Sequence, residues 1–342
     1  MFTPKYIITN RLLENIKRIA EIVTTLNSRH FSRVVLLNME RRAREVSAYS
    51  STSIEGNPLP LTDVKKILKQ RPEYIRDSER EVLNYNKALI ELNDAIRADD
   101  ASLDVEWLEN IQKTVTDGLI ESSRHGHIRK EPVFVNDPRT GKTLYWPPDH
   151  QDVIPLLRDL FGFLEHNARS IDPLILAGIF HREFVIIHPF VDGNGRTARL
   201  ATKVLLAKMG LDTFQLFSFE NYYNQNVTRY FQEVGLIGNY YDCADQLDFT
   251  SWLEYFTDGI IDELLRVQKE LEQETSGHES ALEEYHRKII ARIEKKGFIT
   301  DRDYSTLTDR AKPTRHLDFR KLIDLGIIMK VGKGRATYYT LK

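Results

Sequence analysis

Apolar residues recur at three- and four-residue spacing through most of the chain up to about residue 285, as in Leu12, Ile16, Ile19, Ile22 and Leu26, then Leu83, Leu89, Leu92 and Ile96. That period places them on one face of a helix, and its repetition predicts a multi-helix core. Asn10, Thr62 and Asp149 stand where N-caps are expected, the last ahead of a helix carrying Val153, Leu156, Leu157, Leu160 and Phe163. The expected fold class is therefore mainly α.

Two stretches depart from the helical period. Between His127 and Pro148, an apolar run of Val133, Phe134 and Val135, a Pro-Arg-Thr-Gly turn and Thr143 to Trp146 predict a β-hairpin, placed at 133–146 and able to act as a flap. Gln273 to Ser280 reads as a polar linker, 273–280. Beyond it, 281–342 reads as a helix from Tyr285 to Lys296, a helix capped by Thr300, a helix from Thr314 to Leu325 ended by Gly326, and two strands around a basic tip. That order predicts a winged helix-turn-helix domain, with Arg315, His316, Arg320 and Lys321 on its third helix and Lys333 and Arg335 on the wing.

Charge sharpens this division. The chain's net charge is −2, yet His286 to Lys342 holds 15 Lys and Arg against 6 Asp and Glu, while Met1 to Tyr285 holds 33 against 44. A basic tail after an acidic body suits an anionic partner such as DNA, or a solvated docking face. No apolar run approaches the ~20 residues of a membrane-spanning helix, and no basic-then-apolar leader opens the sequence, so a cytoplasmic protein without a membrane partner is expected. Cys243 is the sole cysteine, which excludes an internal disulfide and any multi-thiolate metal site, and it reads as a packing residue.

The densest chemistry lies in "HPFVDGNGRTAR", positions 188 to 199. The apolar helical run from Leu174 should stop before Pro189, leaving His188 at its end. In Asp192-Gly193-Asn194-Gly195, the glycines permit positive φ, and backbone N–H groups can converge into an anion cradle at the start of the helix beginning near Arg196. Arg196 and Arg199 share one side of that helix's first turns, where cations are normally unfavourable unless an anion is bound. Asp192 suits Mg²⁺, which takes one carboxylate with phosphate oxygens and waters. His188, with an ordinary pKa of ~6.5, can serve as a general base near neutrality. The set points to nucleotidyl or phosphoryl transfer.

The segment matches the H-x-F-x-D/E-G-N-G-R-x-x-R signature and so resembles Fic-domain adenylyltransferases, over roughly residues 40 to 270. The resemblance implies that His188 deprotonates a target hydroxyl, which attacks the α-phosphate of ATP and releases pyrophosphate. It implies Mg²⁺ on Asp192, phosphates on Gly193, Asn194 and Gly195, and Arg196 and Arg199 on the β- and γ-phosphates. Phe190 is expected to pack inward and fix the loop. The hairpin becomes the flap that aligns a target by strand pairing through Val133, Phe134 and Val135. Ser218 to Val234 resembles the helix bordering the adenine, with Tyr222, Tyr223, Asn226 and Tyr230 as candidates.

A second motif lies in "SSTSIEGNPLP", Ser50 to Pro60. Ser51 and Glu55 share a helical face, and Gly56 with Asn57-Pro58 would end that helix. Beside a Fic core the segment resembles the inhibitory S-x-x-x-E-G motif, on a helix placed around 47–56. The resemblance implies that Glu55 pairs with Arg199 and competes with the γ-phosphate. The expected layout is an N-terminal helical region (1–100), a Fic core (101–272), the linker and the winged helix. The expected activity is transfer of AMP from ATP to a Ser, Thr or Tyr hydroxyl of a protein, possible targets including the chain itself. Other readings are an enzyme that also or mainly removes AMP through Glu55, a phosphotransferase, or a DNA-binding regulator whose Fic site senses nucleotide. A homodimer is the assembly expected.

Overall fold

A computed structural model describes residues 2–136, 141–325 and 327–341, and for 275–281 and 335 the backbone only. In chain order the elements are α1 (Asn10–Asn27), α2 (Arg33–Ile54), α3 (Leu61–Lys69), α4 (Asp77–Arg97), α5 (Val105–Val115), β1 (Val135–Asn136), β2 (Thr143–Trp146), α6 (Val153–Asn167), α7 (Pro173–Ile187) and α8 (Asn194–Leu206). They continue as α9 (Glu220–Gln225), α10 (Val227–Val234), β3 (Gly238–Asn239), α11 (Tyr240–Cys243), α12 (Thr250–Ala281), α13 (Glu284–Lys296), α14 (Asp301–Ser305), α15 (Lys312–Asp324), β4 (Ile328–Val331) and β5 (Tyr338–Leu341). The mainly α expectation holds. Among the described residues no helix is long and apolar enough to cross a membrane.

The chain divides into two compact units, one holding the residues up to Arg29 with Arg41–Val267, the other His30–Glu40 with Gln268 onward. In the first, α7 is the central helix: apart from Val185, it is buried from Leu174 to Ile187, as a helix apolar nearly all round must be. Fully burying each Ile, Leu or Phe contributes roughly 1.5–3 kcal/mol, which offsets the entropy lost in ordering the chain. Helices α6 and α8 pack along α7, and α4 and α5 against α8. The Trp252 indole on α12 donates to the carbonyl of Gly178 at 2.7 Å.

Helix starts differ from expectation by one to three residues. Thr9, not Asn10, caps α1, its hydroxyl accepting from the Leu12 amide at 3.1 Å. Pro60, whose φ is already fixed near −72°, precedes α3 in place of Thr62. Asp152 rather than Asp149 precedes α6, without a side-chain cap, because its carboxylate accepts from the Tyr241 hydroxyl.

The hairpin forms, but shorter than its sequence suggests. β1 pairs antiparallel with β2 through Val135↔Tyr145 and Asn136↔Thr143, with an irregularity between Val135 and Asn136. Val133 and Phe134 lie outside the strand, because extending the register would set Val133 opposite Pro147, which has no N–H to give the ladder. β3 adds in parallel on the other side of β2, so β1 stays at an edge of the three-stranded sheet. The turn at 138–140 lies outside the described residues.

In the second unit, α13, α14 and α15 precede the antiparallel pair β4-β5, the element order expected of a winged helix. Its core gathers Ile289, Ile293, Ile299, Tyr304, Phe319, Leu322, Ile328 and Tyr339. Phe319 stacks on Tyr339 with ring centroids 4.0 Å apart. Val34, at the start of α2, completes this core, which the sequence reading assigned to the N-terminal region. The expected linker 273–280 continues as backbone of α12: Gln and Glu favour helix, and Gly277 alone costs only about 1 kcal/mol in so long an element. Gly326 and the Arg335 side chain lie outside the description.

Candidate active site

α7 stops at Ile187, and His188 stands at its C-cap in the left-handed region, φ 52° and ψ 60°. Besides Asp99 it is the only non-glycine residue with positive φ among those described. Such backbone is strained for a residue with a Cβ and persists only where neighbours hold it. Here they do so through the carbonyls a helix end leaves open. The His188 amide donates to Phe184 O at 3.0 Å, and its ring Nδ1 lies 3.1 Å from Val185 O. The Tyr145 hydroxyl donates to Ile186 O at 2.9 Å, and Arg129 donates to Ile187 O at 3.4 Å and His188 O at 2.8 Å.

The Val185 carbonyl can only accept, so Nδ1 carries the hydrogen and Nε2 presents a lone pair. Desolvation holds the His188 pKa below its ordinary value, and the charge of Arg129 adds to this, against the Val185 bond, Glu55 and Asp192. The ring is thereby held in its neutral form, with the Nε2 lone pair available to accept a proton.

The next turn is fixed from within. Asn194 Oδ1 accepts from the Phe190 amide at 2.8 Å, while Nδ2 donates to Phe190 O at 2.7 Å. One acceptor and one donor of its side chain are thus engaged in holding the loop. Phe190 is fully buried beside Phe184, as expected. Gly193, φ 82°, is the N-cap of α8, and a Cβ there would meet Thr116 Cγ2 at 2.9 Å. Gln112, fully buried on α5, donates to Asp192 O at 3.1 Å and accepts from the Gly126 amide at 2.6 Å.

The first N–H groups of α8 have no partners inside the helix and, with its dipole, favour an anion. Glu55 supplies one. Its Oε1 is 2.6 Å from Nη2 of Arg199 and crowds the place a Cβ on Gly195 would take. Arg199 is wholly buried and also donates to Ser51, through Nε to Oγ and Nη2 to O, both at 2.8 Å. Burial opposes its charge, but Glu55, Tyr230 and Tyr85 outweigh burial and hold its pKa above the ordinary value. Among the described residues Nη1 has no acceptor, although it lies 3.0 Å from the same Cβ position on Gly195. A buried donor aimed at a helix N-terminus suits a phosphate oxygen. Gly56, φ 93°, turns the chain away after α2.

Arg196, nearly buried, sits between Asp192 and Glu81, with Nη2–Oδ1 3.0 Å and Nη1–Oε1 3.4 Å. Asn57 steadies Glu81 by donating to its Oε2 at 2.7 Å. Among the described residues no cluster of three His, Cys, Asp or Glu could hold a metal. The half-exposed Asp192 therefore offers one carboxylate beside an anion place, a donor set that fits Mg²⁺ only when phosphates complete it.

The adenine candidates divide. Tyr223 and Tyr230 are buried in an aromatic core with His181 and Trp252, the Tyr230 hydroxyl 2.9 Å from His181 Nε2. Asn226 is the exposed cap of α10, accepting from the Arg229 amide at 3.0 Å. Tyr222 alone is half-buried, its ring 5.5 Å from that of Tyr255. Sequence reasoning missed Gln112, Glu81 and Arg129. A polar residue at 112 within the apolar stripe of Leu108, Ile111 and Val115 was a readable signal; Arg129 carried none.

Residues 102–206 match the model of the Fic/DOC family. The chain is 28% identical over 218 residues to "Protein adenylyltransferase Fic" of Drosophila persimilis, covering 58% of this chain and 41% of that protein. It is 30% identical over 182 residues to "Protein adenylyltransferase fic-1" of Caenorhabditis elegans, covering 51% and 34%. The chain thus spans less than half the length of these curated relatives. Its fold is similar to the crystal structure of a Fic family protein from Desulfovibrio desulfuricans G20, with TM-score 0.65, 20% identity and coverage of 100% and 98%. It is similar also to Caenorhabditis elegans Fic-1, with TM-score 0.60, 21% identity and coverage of 77% and 73%.

Proposed function

We propose that the protein transfers AMP from ATP to a protein hydroxyl and is held back by its own Glu55. The observation that carries this reading is the Glu55 carboxylate at 2.6 Å from Arg199, at the anion place of α8. His188 Nε2 takes the proton of a Ser, Thr or Tyr hydroxyl. The freed oxygen bonds to the α-phosphorus as the bond to pyrophosphate breaks, and pyrophosphate leaves. Arg199 and Arg196 hold the outer phosphates, and the backbone of Gly193 to Gly195 receives their oxygens. Mg²⁺, held by Asp192 with those phosphates, would neutralise charge there. With Glu55 in place the outer phosphates cannot reach Arg199, and the α-phosphate is misplaced for in-line attack.

The free edge of β1 supports target alignment by strand pairing at the flap. A single cysteine accords with the reducing cytoplasm. The test is the intact mass of wild type, Glu55→Gly and His188→Ala after incubation with Mg²⁺ and ATP, alone and with candidate target proteins. One adenylyl group gained by the Glu55 variant and not by the His188 variant supports the reading; one phosphoryl group gained instead overturns it.

For the second unit we infer a protein-docking role over sequence reading of DNA. Arg315, expected at a major groove, is forked onto Asp301 at 2.8 and 2.9 Å, while Leu317 on the same helix is 62% exposed. Duplex retention by the full chain at low salt that weakens steeply as salt rises would reverse this assignment.

A further inference from the structure

Arg129 lies 59 residues before His188 and belongs to no motif in the sequence, yet it is only 3% exposed and its donors converge on the catalytic turn. Its backbone amide donates to Pro189 O at 3.0 Å and its Nε to His188 O at 2.8 Å. Nη2 reaches Pro148 O at 2.5 Å and Ile187 O at 3.4 Å, and Nη1 reaches Glu131 O at 3.2 Å. Glu131 and Pro148 flank the flap, each two residues outside it. One rigid guanidinium thus joins both roots of the flap to the carbonyls on either side of the left-handed residue. A planar fork of this kind holds several carbonyls at fixed angles, which a point-like ammonium on a flexible stem does not.

We propose that Arg129 is the positioning residue that keeps His188 in its left-handed conformation and fixes the distance between flap and base. The inference rests on the reading of His188 as general base. Arg129 itself contacts neither nucleotide nor target. Its work is geometric: a target strand paired to β1 brings its hydroxyl to a place set by the flap, and Nε2 stands at a place set by the α7 terminus. The fork makes the two places one. Misplacement by about 1 Å in such an arrangement can reduce a rate on the order of 10²-fold. The cation also favours carbonyls at a helix C-terminus, so it suits the place electrostatically. The charge of Arg129 lowers the His188 pKa, whereas Glu55 and Asp192 raise it.

The test uses the full chain carrying Arg129→Lys or Arg129→Ala, each alone and with Glu55→Gly, with three readouts. The first is titration of the ¹³C-labelled His188 ring by NMR, its resonance assigned by His188→Ala. The second is amide exchange at Thr143 to Trp146, and the third is AMP transfer. Arg129→Lys keeps the charge and loses the fork: flap exchange should rise, transfer should fall on the order of 10-fold or more, and the titration should stay where it is. Arg129→Ala loses both, so His188 should titrate at higher pH as well. If Arg129→Ala does not fold, Arg129→Lys decides the matter through exchange and rate. Wild-type flap exchange and full transfer in Arg129→Lys would overturn the proposal. If exchange and titration shift as expected while Glu55→Gly alone transfers no AMP to any target, the proposed function fails and the positioning role stands.

Discussion

Oε1 of Glu55 and Nη2 of Arg199 lie 2.6 Å apart across 144 residues of sequence, and the pair sits on the bare face of Gly195. An acidic side chain from α2 thereby occupies the anion place at the start of α8. The arginine is wholly buried, whereas the glutamate side chain keeps 29% of its exposure, so the carboxylate is the partner that can leave.

Removing Glu55 should therefore activate. Glu55→Gly is expected to raise AMP transfer about tenfold or more, a change of ~1.4 kcal/mol in the barrier, read with labelled ATP. Equal rates in wild type and variant would mean that the pair does not restrain the site.

The same substitution should weaken the protein when no nucleotide is present. A buried arginine without its counter-ion costs about 1–3 kcal/mol here, below the usual range for a fully buried pair because Glu55 is partly solvated. Thermal unfolding should show a lower Tm for Glu55→Gly, and ATP should raise that Tm more than it raises the wild type's. A Tm unchanged by ATP in the variant would contradict phosphate binding at Arg199.

Gly195→Ala should separate the anion place from the rest of the fold. The added methyl would collide with the Glu55 carboxylate and stand 3.0 Å from Arg199 Nη1. The expected result is a folded protein with loss of the ATP-induced Tm shift, both alone and with Glu55→Gly. A retained shift in the double variant would place the phosphates elsewhere.

The pH dependence should have an acid limb below the ordinary histidine range. His188 acts when neutral, and desolvation lowers its pKa, so transfer by Glu55→Gly should persist below pH ~6.5 and fall only as the ring gains its proton. A limb centred above pH 7 would show that the base is not this desolvated ring.

Stability should carry a second pH signal from α7. Burial pushes the Glu183 carboxyl up to about 7, partly offset by Arg182. A folded-state pKa above the unfolded one means that stability is fully present below pH ~4.5 and declines as pH rises toward 7. Glu183→Gln lacks this decline, so its Tm relative to wild type should grow between pH 5 and 8, by the equivalent of a few kcal/mol at most (~1.4 per pKa unit). A constant difference across that range would mean that Glu183 is charged in the folded state.

The sequence by itself determined what short range controls. Pro189 ends α7 and puts His188 at its terminus; Gly193 permits the left-handed cap of α8; the 3.6-residue period sets a helical core. Glycine, proline and apolar spacing act through a residue's own backbone or its nearest turn, so they can be read in one dimension. Only the tertiary structure decided which charges meet. Arg315 reads as a groove-facing cation until Asp301 is found in its fork, and Tyr223 reads as a ligand contact until it is found buried against Trp252. Val133 and Phe134 have the right residues for a strand, yet the ladder begins only at Val135, and Pro147 on the facing strand has no N–H to offer Val133. Arg129 is a basic residue in a polar stretch, and its meaning comes from the carbonyls at the end of a helix 59 positions away. Hydrogen bonds and ion pairs depend on distances of a few ångströms between distant segments, and folding sets those distances, not spacing along the chain.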